Sequence, residues 1–196
     1  LEENRIGIID DVKIYCNSYL PKWRKKDYRK SVSVAKPRGG GVLHELSHEI
    51  DYMIWLFGLP RATFALFTLN KILTKKVEEN VGVFFISKKN INIYMNLSFN
   101  SAYEKRYCLV SGSKGSLYLD LSKKRIKIKH LKTSKEKILF RSKGNNETNL
   151  LKQMNMFFKS IEQKKHINNL SNGLNVSKVI KFIYKSNKSK KLENIK

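Results

Sequence analysis

The stretch GGGVLHELSHEIDYMIWLFGLP, residues 39–60, decides the fold. Its apolar residues Val42, Leu43, Leu46, Ile50, Met53 and Phe57 recur three or four apart, the period that places side chains on one face of an α-helix. Gly39, Gly40 and Gly41 stand before this run, and Gly58 with Pro60 closes it, as residues that resist helical continuation do. A helix over 42–57 is therefore expected, with one stripe buried against a sheet.

A second stripe opposes the first. At 100° per residue, His44, His48, Asp51 and Trp55 line up at i, i+4, i+7 and i+11, with Glu45 beside them. A helix on a sheet buries only one stripe, so two imidazoles, two acids and an indole on the other suggest a lined cleft. An imidazole next to a carboxylate suits proton transfer near neutral pH. His48 and Glu45 are the candidate catalytic residues, and His44 and Asp51 are candidates for substrate contact. The bland reading is a polar outer face that happens to carry histidines. The string HELSH, His44 to His48, also fits H-E-x-x-H, in which two imidazoles bind zinc and the Glu activates water. That zinc-peptidase alternative needs a third ligand, for which Asp51 or a later Glu is the obvious candidate, and it places a charged Glu49 where the motif has an uncharged residue.

Outward from the helix, residues 7–16 alternate as a strand, and Asn17 to Lys36 reads as a long loop. Long loops often carry function, and Tyr19, Trp23, Arg24, Tyr28 and Arg29 are suited to gripping a polar ligand. Strand-like runs follow at 61–70, 81–87, 91–98, 106–111, 116–121, 125–131 and 137–140, joined by short turn-rich segments such as SKKN and SGSKG. Short connections favour antiparallel pairing. Two closing helices are expected at 148–164 and 173–186, the first with an apolar stripe of Leu150, Leu151, Met154, Phe157, Phe158 and Ile161. The order argues for an α+β fold: an open, mainly antiparallel sheet with helices packed on one face.

At 196 residues, 41% of them hydrophobic, the chain can bury a core of one domain, taken as 1–186, with a basic, mobile tail at 187–196. No apolar run reaches the ~18 residues of a membrane span, so no membrane association is expected. Cys16 and Cys108 both fall in strand-like segments, which fits buried thiols in a reducing cytoplasm and not a disulfide framework. The net charge of +24 is mostly scattered Lys, with one run at Lys185 to Lys191. A solvated basic surface explains it better than a nucleic-acid interface, and it suits an anionic small substrate.

The segment YLPKWRKKDYRKSVSVAKPRGGGVLHELSHEIDYMIWLFGLP, residues 19–60, resembles the C-terminal domain of the glucose-fructose oxidoreductase and inositol dehydrogenase family, Gfo/Idh/MocA. It looks most like a branch associated with bacterial sugar and polysaccharide pathways. SGSKGSLYLDL at 111–121 is similar to the family's Gly-Thr-x-Gly-x-Leu turn, and the closing helices resemble its last two. The resemblance implies the substrate-side, oligomer-forming half of an NAD(P)-dependent oxidoreductase acting on a sugar or nucleotide-sugar. It further implies a homo-oligomer built through the sheet face. The family's acid and His on this helix fall on Glu45 and on His48 when counted back from Ile50 and Asp51; counting forward from the glycines puts Glu49 in the His position instead. The cofactor, NAD or NADP, belongs to a preceding domain, and neither a G-x-G-x-x-G turn nor a Glu-Lys-Pro motif occurs in these residues. The chain, which opens on Leu1, thus reads as part of a longer protein or as a split or decayed gene, inactive as a dehydrogenase by itself. A non-catalytic basic binding or dimerisation module is the remaining alternative.

Overall fold

β1, Ile9–Tyr19, carries Val12, Ile14 and Cys16 buried on one face and Lys13 and Tyr15 on the other. A computed structural model of the chain describes residues 4–68, 72–74, 76–144, 146–164 and 170–195. Among these, the remaining strands are β2 (Ala62–Phe67), β3 (Asn80–Ile86), β4 (Asn92–Ser98), β5 (Asn100–Gly112), β6 (Gly115–Asp120), β7 (Arg125–His130), β8 (Glu136–Arg141) and β9 (Glu193–Asn194). The nine strands form one sheet in the order β8-β7-β6-β5-β1-β4-β3-β2-β9. β1 pairs in parallel with β4, while its other neighbour, β5, and all remaining pairs are antiparallel. Short turns explain the antiparallel hairpins; the β1–β4 pair is parallel because helices and two strands intervene between them.

Register puts the apolar side chains in phase across the sheet. Val12 faces Ile93 and Val110, Ile14 faces Met95 and Cys108, and Cys16 faces Leu97 and Arg106. Val83 stands opposite Met95, and Val110 opposite Leu117. This inner face joins one core with residues of α1 (Val42–Glu45), α2 (Ser47–Phe57) and α4 (Leu170–Ser189), including Val179 and Ile183. The expected α+β architecture, a mainly antiparallel open sheet, is the observed one. Val42, Leu43, Leu46, Ile50, Met53 and Phe57 are all buried.

Three expectations need correction. The helix over 42–57 is two helices, broken at Leu46, whose φ of −104° and ψ of 23° depart from helical values. The break resets the angular phase, so His44 does not continue the stripe of His48, Asp51 and Trp55. The strand expected at 7–16 runs on to Tyr19, and the loop after it is wound into short 3-10 turns at Leu20–Lys22, Tyr28–Lys30, Val32–Val34 and Lys36–Arg38. Of the segment 187–196, expected as a mobile tail, the described residues 187–195 are packed: α4 continues to Ser189, Glu193 pairs with Thr63 of β2, and Ile195 is buried. Residues 69 and 70 of the strand expected at 61–70 lie outside the described residues.

The triple glycine is a packing device. A Cβ on Gly40 would come within 2.4 Å of the Val32 carbonyl oxygen, and one on Gly41 within 2.2 Å of the Glu78 carboxylate. Glu78 in turn caps α1, its main-chain carbonyl accepting from Val42 N at 3.1 Å and its Oε1 from Leu43 N at 3.2 Å. The glycines let α1 start against this carboxylate, which fixes where α2 crosses the sheet.

Candidate active site

α2 delivers one acid into the core. Glu49 is fully buried, and its Oε1 accepts from Arg106 Nε at 2.6 Å and lies 3.0 Å from His48 Nε2. Arg106 reaches it from β5, in phase with Cys108 and Val110 and directly across from Cys16 on β1. The two side chains that meet it are partly open, 46% for His48 and 42% for Arg106, so one sealed carboxylate lies beneath two groups that meet solvent. A buried charge survives only when paired, and here the pair spans helix and sheet.

Cys16 and Tyr52 stand against the same carboxylate. Burial and then the charge of Glu49 push the Cys16 thiol up to about 12. The same two causes hold the Tyr52 phenol well above its ordinary range. Burial likewise takes the Cys108 thiol to about 12. Glu49 Oε2 and the Tyr52 hydroxyl are both buried with no hydrogen-bond partner among the described residues. The ligand atoms of Cys16, His48 and Glu49 lie within 4.8 Å of one another, the grouping nearest to a metal site among the described residues. It does not contain His44. A cation there would share Glu49 with a guanidinium and would have to displace a thiol proton held at about 12, so the donor set suits a metal poorly.

The residues expected from sequence are dispersed. His48 is at the site. Glu45 sits half-buried at the end of α1, and the carboxylate beside His48 is that of Glu49 instead. His44 is exposed with its ring 6.0 Å from that of Tyr184, near a cavity of about 300 Å³ lined by Phe67, Glu78 and Tyr184. Asp51 is exposed and Trp55 is 81% exposed, so the second stripe lines no cleft in this chain. In the loop, Trp23, Arg24 and Tyr28 line a cavity of about 160 Å³ with Leu20, Asp27 and Ser33. Trp23 Nε1 donates to Ser18 Oγ at 3.0 Å, and Tyr28 donates to the Leu73 carbonyl at 3.2 Å, so both rings are held in place. Arg29 instead pairs with Asp27 at 2.9 Å, and Tyr19 belongs to β1, opposite Asn100.

Sequence reasoning missed Arg106 and left Glu49 as one option among three. A signal existed for each. Period-2 alternation in RYCLV puts Arg106 on the face of Cys108 and Val110, and the count forward from the glycines reaches Glu49.

The far face of the sheet carries a shallow depression of about 520 Å³ lined by Tyr15, Phe64, Leu66, Phe84, Tyr94 and Tyr107 among others. Tyr15, Tyr107 and Tyr118 stack there in a row, with centroids 5.4 Å and 5.2 Å apart. Among the described residues, no helix is long and apolar enough to cross a membrane.

The profile of the GFO/IDH/MocA C-terminal domain matches residues 1–118. No curated protein sequence matches the chain. Among solved structures, aldose-aldose oxidoreductase from Caulobacter crescentus, in complex with glycerol, superposes with a TM-score of 0.82 at 14% identity, over 98% of this chain and 57% of that one. A levoglucosan dehydrogenase in complex with NADH gives 0.83 at 15% identity, over 100% of this chain and 60% of that one. An NAD binding oxidoreductase from Klebsiella pneumoniae gives 0.80 at 14% identity, over 100% and 61%. The chain thus spans about three fifths of the length of the structures it resembles.

Proposed function

We propose, from the premise that this chain belongs to the family of GFO/IDH/MocA C-terminal domains, that it is the substrate-side half of an NAD(P)-dependent oxidoreductase acting on a sugar or nucleotide-sugar. The observation that carries this reading is the placement of His48, partly open and seated on a buried carboxylate, at the start of the helix that follows the triple glycine. Bound NAD or NADP would exchange a hydride with the sugar carbon. The triple-glycine turn of this chain does not suit a pyrophosphate, because the Glu78 carboxylate fills it. We therefore assign the cofactor to a nucleotide-binding part outside these residues, and the chain by itself is expected to be inactive.

In this reading His48 takes or returns the hydroxyl proton, and Trp23, Arg24 and Tyr28 hold the polar substrate. A role in polysaccharide biosynthesis fits the branch that the sequence resembles. Two free, buried thiols fit a cytoplasmic setting. The aromatic far face of the sheet is the surface through which we expect the homo-oligomer to form, since Tyr94 and Leu66 are 46% and 49% exposed on it. The test is reconstitution with a nucleotide-binding module, assayed for NAD(P)H turnover on sugars and nucleotide-sugars. His48→Ala should lower turnover by about a hundredfold or more with cofactor affinity unchanged, and His44→Ala should do much less. Near-wild-type turnover in His48→Ala, or greater damage from His44→Ala, would remove this reading.

A further inference from the structure

We infer that Arg106 is a positioning residue for His48, acting through Glu49. The catalytic consequence rests on the oxidoreductase reading above; the geometry does not. Arg106 Nε and His48 Nε2 meet the same oxygen, Oε1 of Glu49, at 2.6 Å and 3.0 Å. A bare imidazole nitrogen 3.0 Å from a carboxylate oxygen would repel it, so Nε2 carries a proton and Nδ1 is the atom that accepts one. Which nitrogen of His48 does chemistry is then set by where Oε1 sits.

Glu49 cannot fix that position unaided. Its other oxygen, Oε2, is buried with no hydrogen-bond partner among the described residues, and Cys16 and Tyr52 only stand against the carboxylate, so its firm hold is on the Oε1 side. Arg106 supplies the orientation from β5, anchored by the β1–β5 register that places it opposite Cys16. The order of support runs from sheet to guanidinium to carboxylate to imidazole. Removing Arg106 leaves a buried carboxylate that must turn toward Tyr52, Cys16 or solvent, and the contact to Nε2 is lost with it.

The test reads the ring directly. In ¹⁵N-labelled chain, long-range ¹H–¹⁵N spectra recorded over a pH series up to the point where the imidazole signals stop moving report the tautomer of each neutral imidazole, with His48 assigned by its loss in His48→Ala. Wild type should show His48 as a single Nε2-protonated form. Arg106→Gln and Glu49→Gln should return it to a mixture of both tautomers, and Arg106→Lys should restore most of the single form. Backbone spectra that keep the wild-type pattern away from the site establish that each variant folds; should Arg106→Gln not fold, Glu49→Gln against Arg106→Lys carries the comparison. A mixture in wild type, or the same single tautomer in wild type and Arg106→Gln, overturns the inference, whatever Glu49→Gln shows. Failure of the oxidoreductase reading would look different, as an intact tautomer signature with no turnover in the reconstituted enzyme.

Discussion

Replacing Arg106 by Met should destabilise the chain by roughly 3 kcal/mol. Removing one partner of a buried ion pair costs about 3–5 kcal/mol, because the other charge is left without compensation. Glu49 is fully buried, which argues for the whole penalty, but the Arg106 side chain is 42% exposed, which argues for the low end. For a chain of 196 residues, roughly 3 kcal/mol lowers the melting temperature by about 6–12 °C. Glu49→Leu should be milder, about 1–2 kcal/mol, since the partly open guanidinium can turn to water. The double variant Glu49→Leu/Arg106→Met should lie within about 1 kcal/mol of wild type, giving a coupling of about 3–6 kcal/mol. Urea denaturation of the four proteins, followed by circular dichroism at neutral pH, measures this cycle. An Arg106→Met cost below about 1 kcal/mol, or additive single effects, would refute the buried-pair description of the site.

The Cys16 and Cys108 thiols, both raised to about 12 from an ordinary 9.0, should resist a thiol reagent at about pH 8 until urea unfolds the chain. Because the folded state keeps both thiols protonated, their contribution to stability is complete below about pH 9 and is lost as pH rises toward 12, which alkaline melting curves would show. Ser186→Ala should cost about 1–3 kcal/mol in the same urea assay, since the buried Ser186 hydroxyl accepts from Ala65 N at 3.0 Å and donates to the Lys191 carbonyl at 2.7 Å, tying α4 to β2. Gly40→Ala should be more damaging than Gly39→Ala by thermal melting: a Cβ at Gly40 meets backbone within 2.4–2.8 Å, whereas at Gly39 it meets nothing within 4 Å and the strain of a φ of +79° is the only penalty. On the far face, Leu66→Glu with Tyr94→Lys should leave a monomer by light scattering where wild type is an oligomer; an unchanged mass would place the interface elsewhere.

Local periodicity by itself determined the elements. Alternation and three-to-four spacing are properties of the chain, so seven strand-like runs after the first helix and two closing helices could be placed from residue order, and all six apolar residues of 42–57 were found buried. What periodicity cannot carry is phase across a break or the partner of an exposed face. The irregular backbone at Leu46 undid the shared stripe of His44 and His48, and the short helix before that break is capped by Glu78, which follows Leu46 by 32 residues in the sequence. The apolar stripe of α3 (Asn146–Glu162) is helical as expected, yet Leu150, Leu151, Met154, Phe157, Phe158 and Ile161 are all 43–65% exposed in the chain. His48 and Glu49 were both candidates from residue order, but their pairing with Arg106 was decided by tertiary structure alone. Glu49 is neighboured in sequence by His48, but its burial is bearable only because β-pairing brings Arg106 to 2.6 Å from it, 57 residues away along the chain. A charge is placed in a core by its partner, and the partner is known only once the strands have met.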